Sequence, residues 1–171
     1  LLQHAVTGTH LQELVVVAGA PNTKIGSFEV YDSFTFNQVF VSSVQSDAEE
    51  GSFGHEVSFN YGKIERVHEA QGFGWDLLSN TPEPAGGLES GPNDPADSVN
   101  TATSGAFQYY VRFEGQDWLE LEGFSLGAQV PVPIGVAGAG AGKPSFEHVQ
   151  LSLGASEELV SLNEALVTGD H

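Results

Sequence analysis

The chain has 171 residues, which is enough for one domain of ordinary size. Its 23 acidic and five basic residues give a formal charge of -18, and this charge excludes nucleic acid and an anionic membrane surface as partners. Cys and Met are absent, which excludes a disulfide, a thiolate zinc site and a Cys nucleophile. No run of 18 apolar residues is present, so membrane insertion by a helix is not expected.

The composition also bears on where the protein acts. Because the first residue is Leu1 and not Met, we expect a processed product or part of a longer polypeptide. The absence of Cys and the strong acidity fit an exported or salt-tolerant protein. We therefore predict a secreted or extracellular location.

Alternation of apolar and polar residues dominates the chain and predicts six or seven strands. A short continuous apolar run at 14–17 comes first. A long half-buried strand, or two strands broken at Asp32 and Ser33, follows from residue 28. Further alternating segments are found at 57–61, 107–113, 119–126 and 149–153.

Two places interrupt the alternation. At 39–41 the apolar residues are consecutive and no longer alternate with polar ones. Across Gly123 the apolar residues change from odd positions, ending at Leu121, to even positions, beginning at Phe124. Each interruption predicts a β-bulge or a change of buried face.

A single segment has helical spacing. Leu159, Leu162 and Leu166 lie on one face, Ser156 is a suitable N-cap and Gly169 a suitable stop. A helix is therefore predicted over residues 155–168, covering an opening or edge of the strands.

Two stretches are predicted to be loops. Residues 79–100 contain four of the eight prolines and no basic residue, and this composition predicts a poorly packed connector. Residues 127–144 are rich in Gly, Ala and Pro but apolar. They are either an unstructured insertion or an extended arm that lies on a neighbouring molecule, with Val130, Val132, Ile134 and Val136 as its contacts.

The two chain ends resemble each other. Residues 1–10 and 162–171 match at five of ten positions, at an offset of 161. Such a match indicates either one period of a tandem array or a permuted domain whose ends meet.

When residues 106–171 are placed before residues 9–69, the order of segments resembles the haemolysin-coregulated protein (Hcp) family, whose members form the ring-shaped tube subunits of type VI secretion systems. Related barrels form phage tail tubes. The resemblance is carried by the segments 39–44 (VFVSSV) and 56–65 (EVSFNYGKIE), by Trp118 with Phe124 and Ser125, by 142–146 (GKPSF) and by 165–169 (ALVTG).

The resemblance implies a mainly β fold, an Hcp-like β-barrel with one flanking α-helix. Residues 11–70 then correspond to the C-terminal half of the family's barrel and residues 106–171 to its N-terminal half. Residues 71–105 form a Pro/Gly/acidic linker without a counterpart in the family, and the connection at Gly115, Gln116 and Asp117 is shorter than usual.

The residue types that could act in catalysis or bind a ligand form no catalytic, cofactor-binding or metal site. His4 and His10 share no helix face, so the histidines are interpreted as hydrogen-bonding groups at strand starts. The acidic clusters at 47–50 and 94–97 lack the spacing of a calcium loop. Ser125, Ser152 and Asp32 form no recognisable triad, and 138–143 (GAGAGK) lacks the Ser or Thr of a phosphate loop. Trp75 and Trp118 are interpreted as core residues.

We therefore predict a structural protein that is not an enzyme and that self-assembles into a tube or filament, with itself as its partner. The alternatives are a conventional type VI tube protein, a tandem Hcp fusion, or a secreted module that binds calcium or glycan. We further predict that Phe59, Tyr61, Tyr109 and Val111 point into one core, and that half-barrels are exchanged between chains.

Overall fold

The computed structural model describes residues 10–22, 27–49, 52–92, 107–129 and 144–154. These residues form a single sheet of ten strands, so the prediction of a mainly β fold is confirmed. The strands are β1 (His10–Asn22), β2 (Ser27–Glu49), β3 (Ser52–Asn60), β4 (Lys63–His68), β5 (Gln71–Asp76), β6 (Thr81–Glu83), β7 (Gln108–Phe113), β8 (Leu119–Leu121), β9 (Gly123–Gln129) and β10 (Ser145–Gly154). The helix predicted over 155–168 and nearly all of the chain-end repeat lie outside the described residues.

The long strand β2 organises the sheet. One of its sides pairs with β1, and the other pairs first with β4 and then with β3. All these pairings are antiparallel. From β4 the sheet continues to β5 and β6, from β3 to β10 and β9, and from β1 to β7 and β8.

The sheet curls because β8 and β9 follow each other directly. The backbone N–H of Glu122, which lies between them, donates a hydrogen bond of 2.9 Å to the carbonyl oxygen of Ser152 in β10. Strand β8, which pairs with β7, is thereby joined to β9, which pairs with β10. The curled sheet encloses one large apolar interior, to which β1, β2, β3, β4, β7, β8 and β10 all contribute buried side chains.

The apolar run at the start of the chain is buried on both faces of the sheet. Leu14 and Val16 lie in the interior, whereas Val15 and Val17 belong to a second cluster on the outer face; all four side chains are fully buried. The second cluster also contains Phe28 and Tyr110, whose rings meet edge to face at 5.0 Å. A strand buried on both faces is therefore apolar at every position and not alternating.

A bulge at Tyr31 changes the buried face of β2. Ala18 pairs with Asp32 but the next residue, Gly19, pairs with Val30, so Tyr31 has no partner in β1. Phe28 and Val30 therefore pack in the outer cluster, while Phe34 and Phe36 pack in the interior. The predicted irregularity near 39–41 is also present, as a register shift between Val41 and Ser43 and a positive φ at Gln38.

The change of buried face predicted at Gly123 is present, because Leu119 and Leu121 of β8 and then Phe124 and Leu126 of β9 all pack in the interior. Strand β8 ends at Leu121 and β9 begins at Gly123. The short connection between β7 and β8 is a tight turn. Gln116 N–H donates to Phe113 O at 3.0 Å, and Gly115 has a φ of 73°, in the left-handed region that favours glycine.

The core predicted from 57–61 and 107–113 is confirmed for Phe59, Tyr61 and Val111, which are buried in the interior cluster. It is wrong for Tyr109, which is 38% exposed. Instead Tyr110 is buried, because the outer face of β7 is also covered, by Phe28. Alternation alone does not identify the buried face of a strand that is covered on both sides.

The linker predicted over 71–105 is wrong for its first part. Residues 71–76 are strand β5, paired with β4 along its full length, and residues 81–83 are strand β6. Residues 84–92 then lie on the outer face of the sheet, where Pro92 is buried. Residues 93–106 lie outside the described residues.

Candidate assembly surface

The β2–β3 hairpin forms the far end of the long strand β2. Strand β3 pairs with β2 as far as Glu49 and Ser52. Within the described part of the chain, which begins at His10, β1 pairs with the other side of β2 from Ser27 to Phe40.

The hairpin contains a bulge. Val41 pairs with Phe59 and Ser43 pairs with Ser58, so Ser42 has no counterpart in β3. The side chains of Ser42 and Ser43 are exposed, while Val44 packs against the interior cluster.

Three aromatic rings form an apolar surface where β5 approaches the start of β10. The ring centroid of Phe73 lies 6.4 Å from that of Trp75 and 6.4 Å from that of Phe146, and Trp75 lies 6.3 Å from Phe146. We call these three residues the aromatic patch. Phe73 is 45% exposed, which is high for a phenylalanine that already has two ring partners.

The patch is held in place by the strands around it. Trp75 pairs with Ile64 of β4, and its Nε1–H donates to Asn80 Oδ1 at 3.2 Å. Phe73 pairs with Arg66 in the same ladder. Because the indole N–H has its partner in the β5–β6 turn, the ring position is fixed before anything binds to it.

Each basic side chain that the structure describes is engaged by carboxylates of the same chain. Lys63 contacts Glu83 at 3.1 Å and Asp76 at 3.6 Å. Arg66 makes two hydrogen bonds to Asp32, of 2.6 and 3.1 Å. Arg112 lies 3.6 Å from Glu89 and 3.9 Å from Glu13. The remaining acidic groups are in excess, so two copies of this surface repel each other at low salt.

Two pKa shifts accompany the Lys63 contacts. The backbone N–H groups of Ser79 and Leu78 donate to Asp76 Oδ1, and this lowers the pKa of Asp76, with a further contribution from Lys63. The hydrogen bond to Glu83 raises the pKa of Lys63. Both shifts keep the groups charged at neutral pH, which makes them structural contacts.

Residues 84–92, which we call the strap, cross the outer face of the sheet. Gly86 N–H donates to Glu65 Oε2 of β4 at 2.7 Å, and Glu89 N–H donates to Ser33 Oγ of β2 at 3.4 Å. Gly91 lies against Phe28 at the margin of the outer cluster. The strap therefore covers a face that would otherwise be open.

Of the histidines that the structure describes, one stands at the start of a strand: His10 is the first residue of β1. His55 lies within β3, His68 ends β4 and His148 lies within β10. Among the described residues, no group of three His, Asp or Glu side chains is arranged to hold a metal ion. Nor does any helix within those ranges have the length and apolar character needed to cross a bilayer.

The other candidate residues are dispersed. Asp32 is engaged by Arg66 on β2, while Ser125 and Ser152 lie on β9 and β10. Trp75 and Trp118 pack, half-buried, against the interior and outer clusters. The acidic cluster 94–97 and the segment 138–143 lie outside the described residues. Sequence reasoning missed Phe73; its signal is the alternation of Phe73 and Trp75 with Gly72 and Gly74.

Comparisons of the chain with protein-family models, with curated proteins and with solved structures gave no match.

Proposed function

We propose that this protein is a structural subunit that self-assembles outside the cell into a ring, tube or filament, as the resemblance to the Hcp family implies. The observation that carries the proposal is the aromatic patch. Phe73 is 45% exposed although its ring lies 6.4 Å from both Trp75 and Phe146, so an apolar surface is left for a second copy to cover.

An apolar surface of this kind suits a contact between subunits, because covering it removes apolar area from water. An interface in which one surface meets a different surface of the next copy is heterologous. Such interfaces close into rings or continue as filaments.

Each curled sheet is expected to close within one chain. Gly91, near the end of the strap, lies against Phe28 and Val30, and the Phe107 ring lies 5.7 Å from that of Tyr31. Both ends of the 14-residue segment 93–106 therefore reach the same short part of β2. A segment of 14 residues can span up to roughly 46 Å, so its length is enough to join the two places. Exchange of half-barrels stays a prediction, and this geometry favours contacts between separately folded chains over it.

The test measures the assembly state of three chains at low and high salt, by size-exclusion chromatography with light scattering and by negative-stain microscopy. We expect the wild-type chain to form rings or filaments, more readily at high salt because screening reduces the repulsion. Phe73→Ser removes the exposed ring of the aromatic patch, and it should reduce assembly.

Phe107→Ser is the matched control, since Phe107 is also exposed but lies outside the patch. It should assemble like the wild type. A wild-type chain that stays monomeric at all salt concentrations contradicts the proposed function. Equal assembly by Phe73→Ser contradicts the role of the aromatic patch. Dimers that separate only on unfolding would instead support exchange.

A further inference from the structure

We propose that the corner between β8 and β9 is a pH-sensitive seam, in which Glu120 takes up a proton as the pH falls and the closed sheet becomes more stable. We call residues 119–123 the seam. The seam belongs to each single chain, so this proposal does not depend on self-assembly.

The seam closes the curled sheet with a short strand. Strand β8 has three residues, and it pairs with β7 on one side. On the other side, the backbone N–H of Glu122 donates a hydrogen bond of 2.9 Å to the carbonyl oxygen of Ser152 in β10. The closure therefore depends on the position of a three-residue strand, and a charge on that strand acts directly on it.

Glu120 places a carboxylate where its charged form is poorly stabilised. Leu119 and Leu121 lie in the interior, so Glu120 between them points to the outer face, as does its β7 partner Tyr110. Its Oε2 atom is buried and accepts no hydrogen bond from the part of the chain that the structure describes. An ionised oxygen that has lost water without gaining a donor is costly, and the protonated form costs less.

The acidic groups around Glu120 act in the same direction. Burial raises the pKa of Glu120, and the negative charge of Glu122 raises it further. Glu122 in turn lines a hollow with Glu56 and His55 of β3. Asp117, in the turn before β8, is also acidic. Negative charge therefore continues along the chain on both sides of Glu120.

The groups of β7 on the same face are engaged elsewhere. The guanidinium of Arg112 lies over the Trp118 ring and 3.6 Å from Glu89 of the strap. The hydroxyl of Tyr110, which is paired with Glu120, donates to Gln108 at 3.4 Å. These contacts explain why the Oε2 atom has no donor from β7.

The direction of the pH effect follows from this arrangement. When the seam opens, Glu120 meets water and ionises with the ordinary pKa of a glutamate, 4.5. The closed seam retains the proton to a higher pH. Closure is therefore least opposed near pH 4.5, and it loses stability as the pH rises through the raised pKa of Glu120. A mildly acidic medium holds the sheet closed most firmly.

Hydrogen exchange at the backbone amide of residue 122 tests the seam, because that N–H is released when the seam opens. Exchange is followed at pH 7 and pH 5 by mass spectrometry with fragmentation to single residues, and protection factors correct for the intrinsic effect of pH on exchange. We expect about two- to tenfold higher protection at pH 5 in the wild type, since one pKa unit corresponds to a factor of ten. In Glu120→Gln, which keeps the shape without the charge, protection should be high at both pH values.

Glu114→Gln is the matched control, since Glu114 is an exposed glutamate in the β7–β8 turn. It should keep the wild-type pH dependence. Glu122→Gln removes the neighbouring charge and should raise protection at pH 7 by less than Glu120→Gln does. Equal protection of the wild type at both pH values overturns the proposal. A pH dependence that persists in Glu120→Gln also overturns it, because it would belong to another group such as His55.

Discussion

The hydroxyl of Tyr61 donates a hydrogen bond of 3.0 Å to the backbone carbonyl oxygen of Glu147. Tyr61 lies between β3 and β4, at the point where the sheet divides toward β10 on one branch and β5 on the other. Its ring also packs edge to face on Phe36, at 4.9 Å. The Tyr61 side chain thus joins β10 to the central strand β2.

Replacing Tyr61 with Phe is expected to lower the free energy of unfolding by about 1 kcal/mol, because the ring contacts remain and only the hydrogen bond is lost. The measurement is urea denaturation followed by tryptophan fluorescence. Tyr109→Phe, at an exposed position, is the control and should be neutral. Equal effects of the two substitutions would mean that the hydrogen bond contributes nothing.

The same residue predicts a pH dependence at the alkaline end. Burial raises the pKa of the Tyr61 phenol, so the folded chain retains a proton that the unfolded chain releases above about pH 10. The free energy of unfolding should therefore fall as the pH rises beyond about 10. In Tyr61→Phe the fall should be shallower, as measured by denaturation midpoints at pH 9 and 11. A parallel decline in both proteins would contradict the assignment to Tyr61.

Gly19 is predicted to tolerate no side chain. A Cβ there would overlap the backbone oxygen of Glu29 and lie 2.7 Å from the Phe28 ring, next to the bulge at Tyr31. Gly19→Ala should destabilise the fold by about 1–3 kcal/mol. Gly87→Ala, where a Cβ meets nothing within 4 Å, should be neutral or slightly stabilising. Thermal melts of the two variants check this; similar melting temperatures would refute the close approach at Gly19.

Arg112 is predicted to hold the strap in place. Its guanidinium lies 4.9 Å from the centroid of the Trp118 ring and 3.6 Å from Glu89 of the strap. Arg112→Met keeps an apolar side chain over the indole but removes the charge, so thermolysin should cleave within residues 84–92 several times faster. Arg66→Met is the control, since Arg66 lies over Phe34 and engages Asp32, away from Glu89. Unchanged cleavage in Arg112→Met would show that the strap is held by its other contacts.

Salt is predicted to stabilise the isolated chain. Because the described basic side chains are already engaged, the net charge is dominated by carboxylates that repel one another, and added salt screens this repulsion. The melting temperature should rise between 50 and 500 mM NaCl, by about 2–4 °C for each kcal/mol gained in a domain of roughly this size. A neutral osmolyte at matched osmolality is the control. A melting temperature that falls with salt would contradict a repulsion-dominated surface.

The sequence identifies the strands well but not the faces they bury. Phe28, Val30, Phe34 and Phe36 all occupy even positions, and alternation assigns them to one face. The unpaired Tyr31 reverses that assignment between Val30 and Phe34. Because β2 contacts an apolar cluster on each face of the sheet, the sequence does not show which of its apolar residues face the interior and which face outward.

The strap was unpredictable for a related reason. Its composition is that of a solvated connector, and its contacts are backbone N–H groups that donate to Glu65 and Ser33. Backbone donors leave no trace in the pattern of side chains. The exposed ring of Phe73 likewise follows from where β5 ends up relative to β10, and that position depends on pairings between residues distant in the sequence.

The position of β1 has a consequence for synthesis on the ribosome. One side of β1 pairs with β2, which is synthesised directly after it, but the other side pairs with β7. Leu14 therefore has no partner on that side until Phe113, 99 residues later, has been synthesised. At roughly 5–20 residues per second, the side of the apolar run 14–17 that later pairs with β7 is exposed for about 5–20 s. During that interval the unpaired strand edge can associate with other nascent chains on the same messenger RNA. A chaperone that binds residues 14–17 would prevent this premature association.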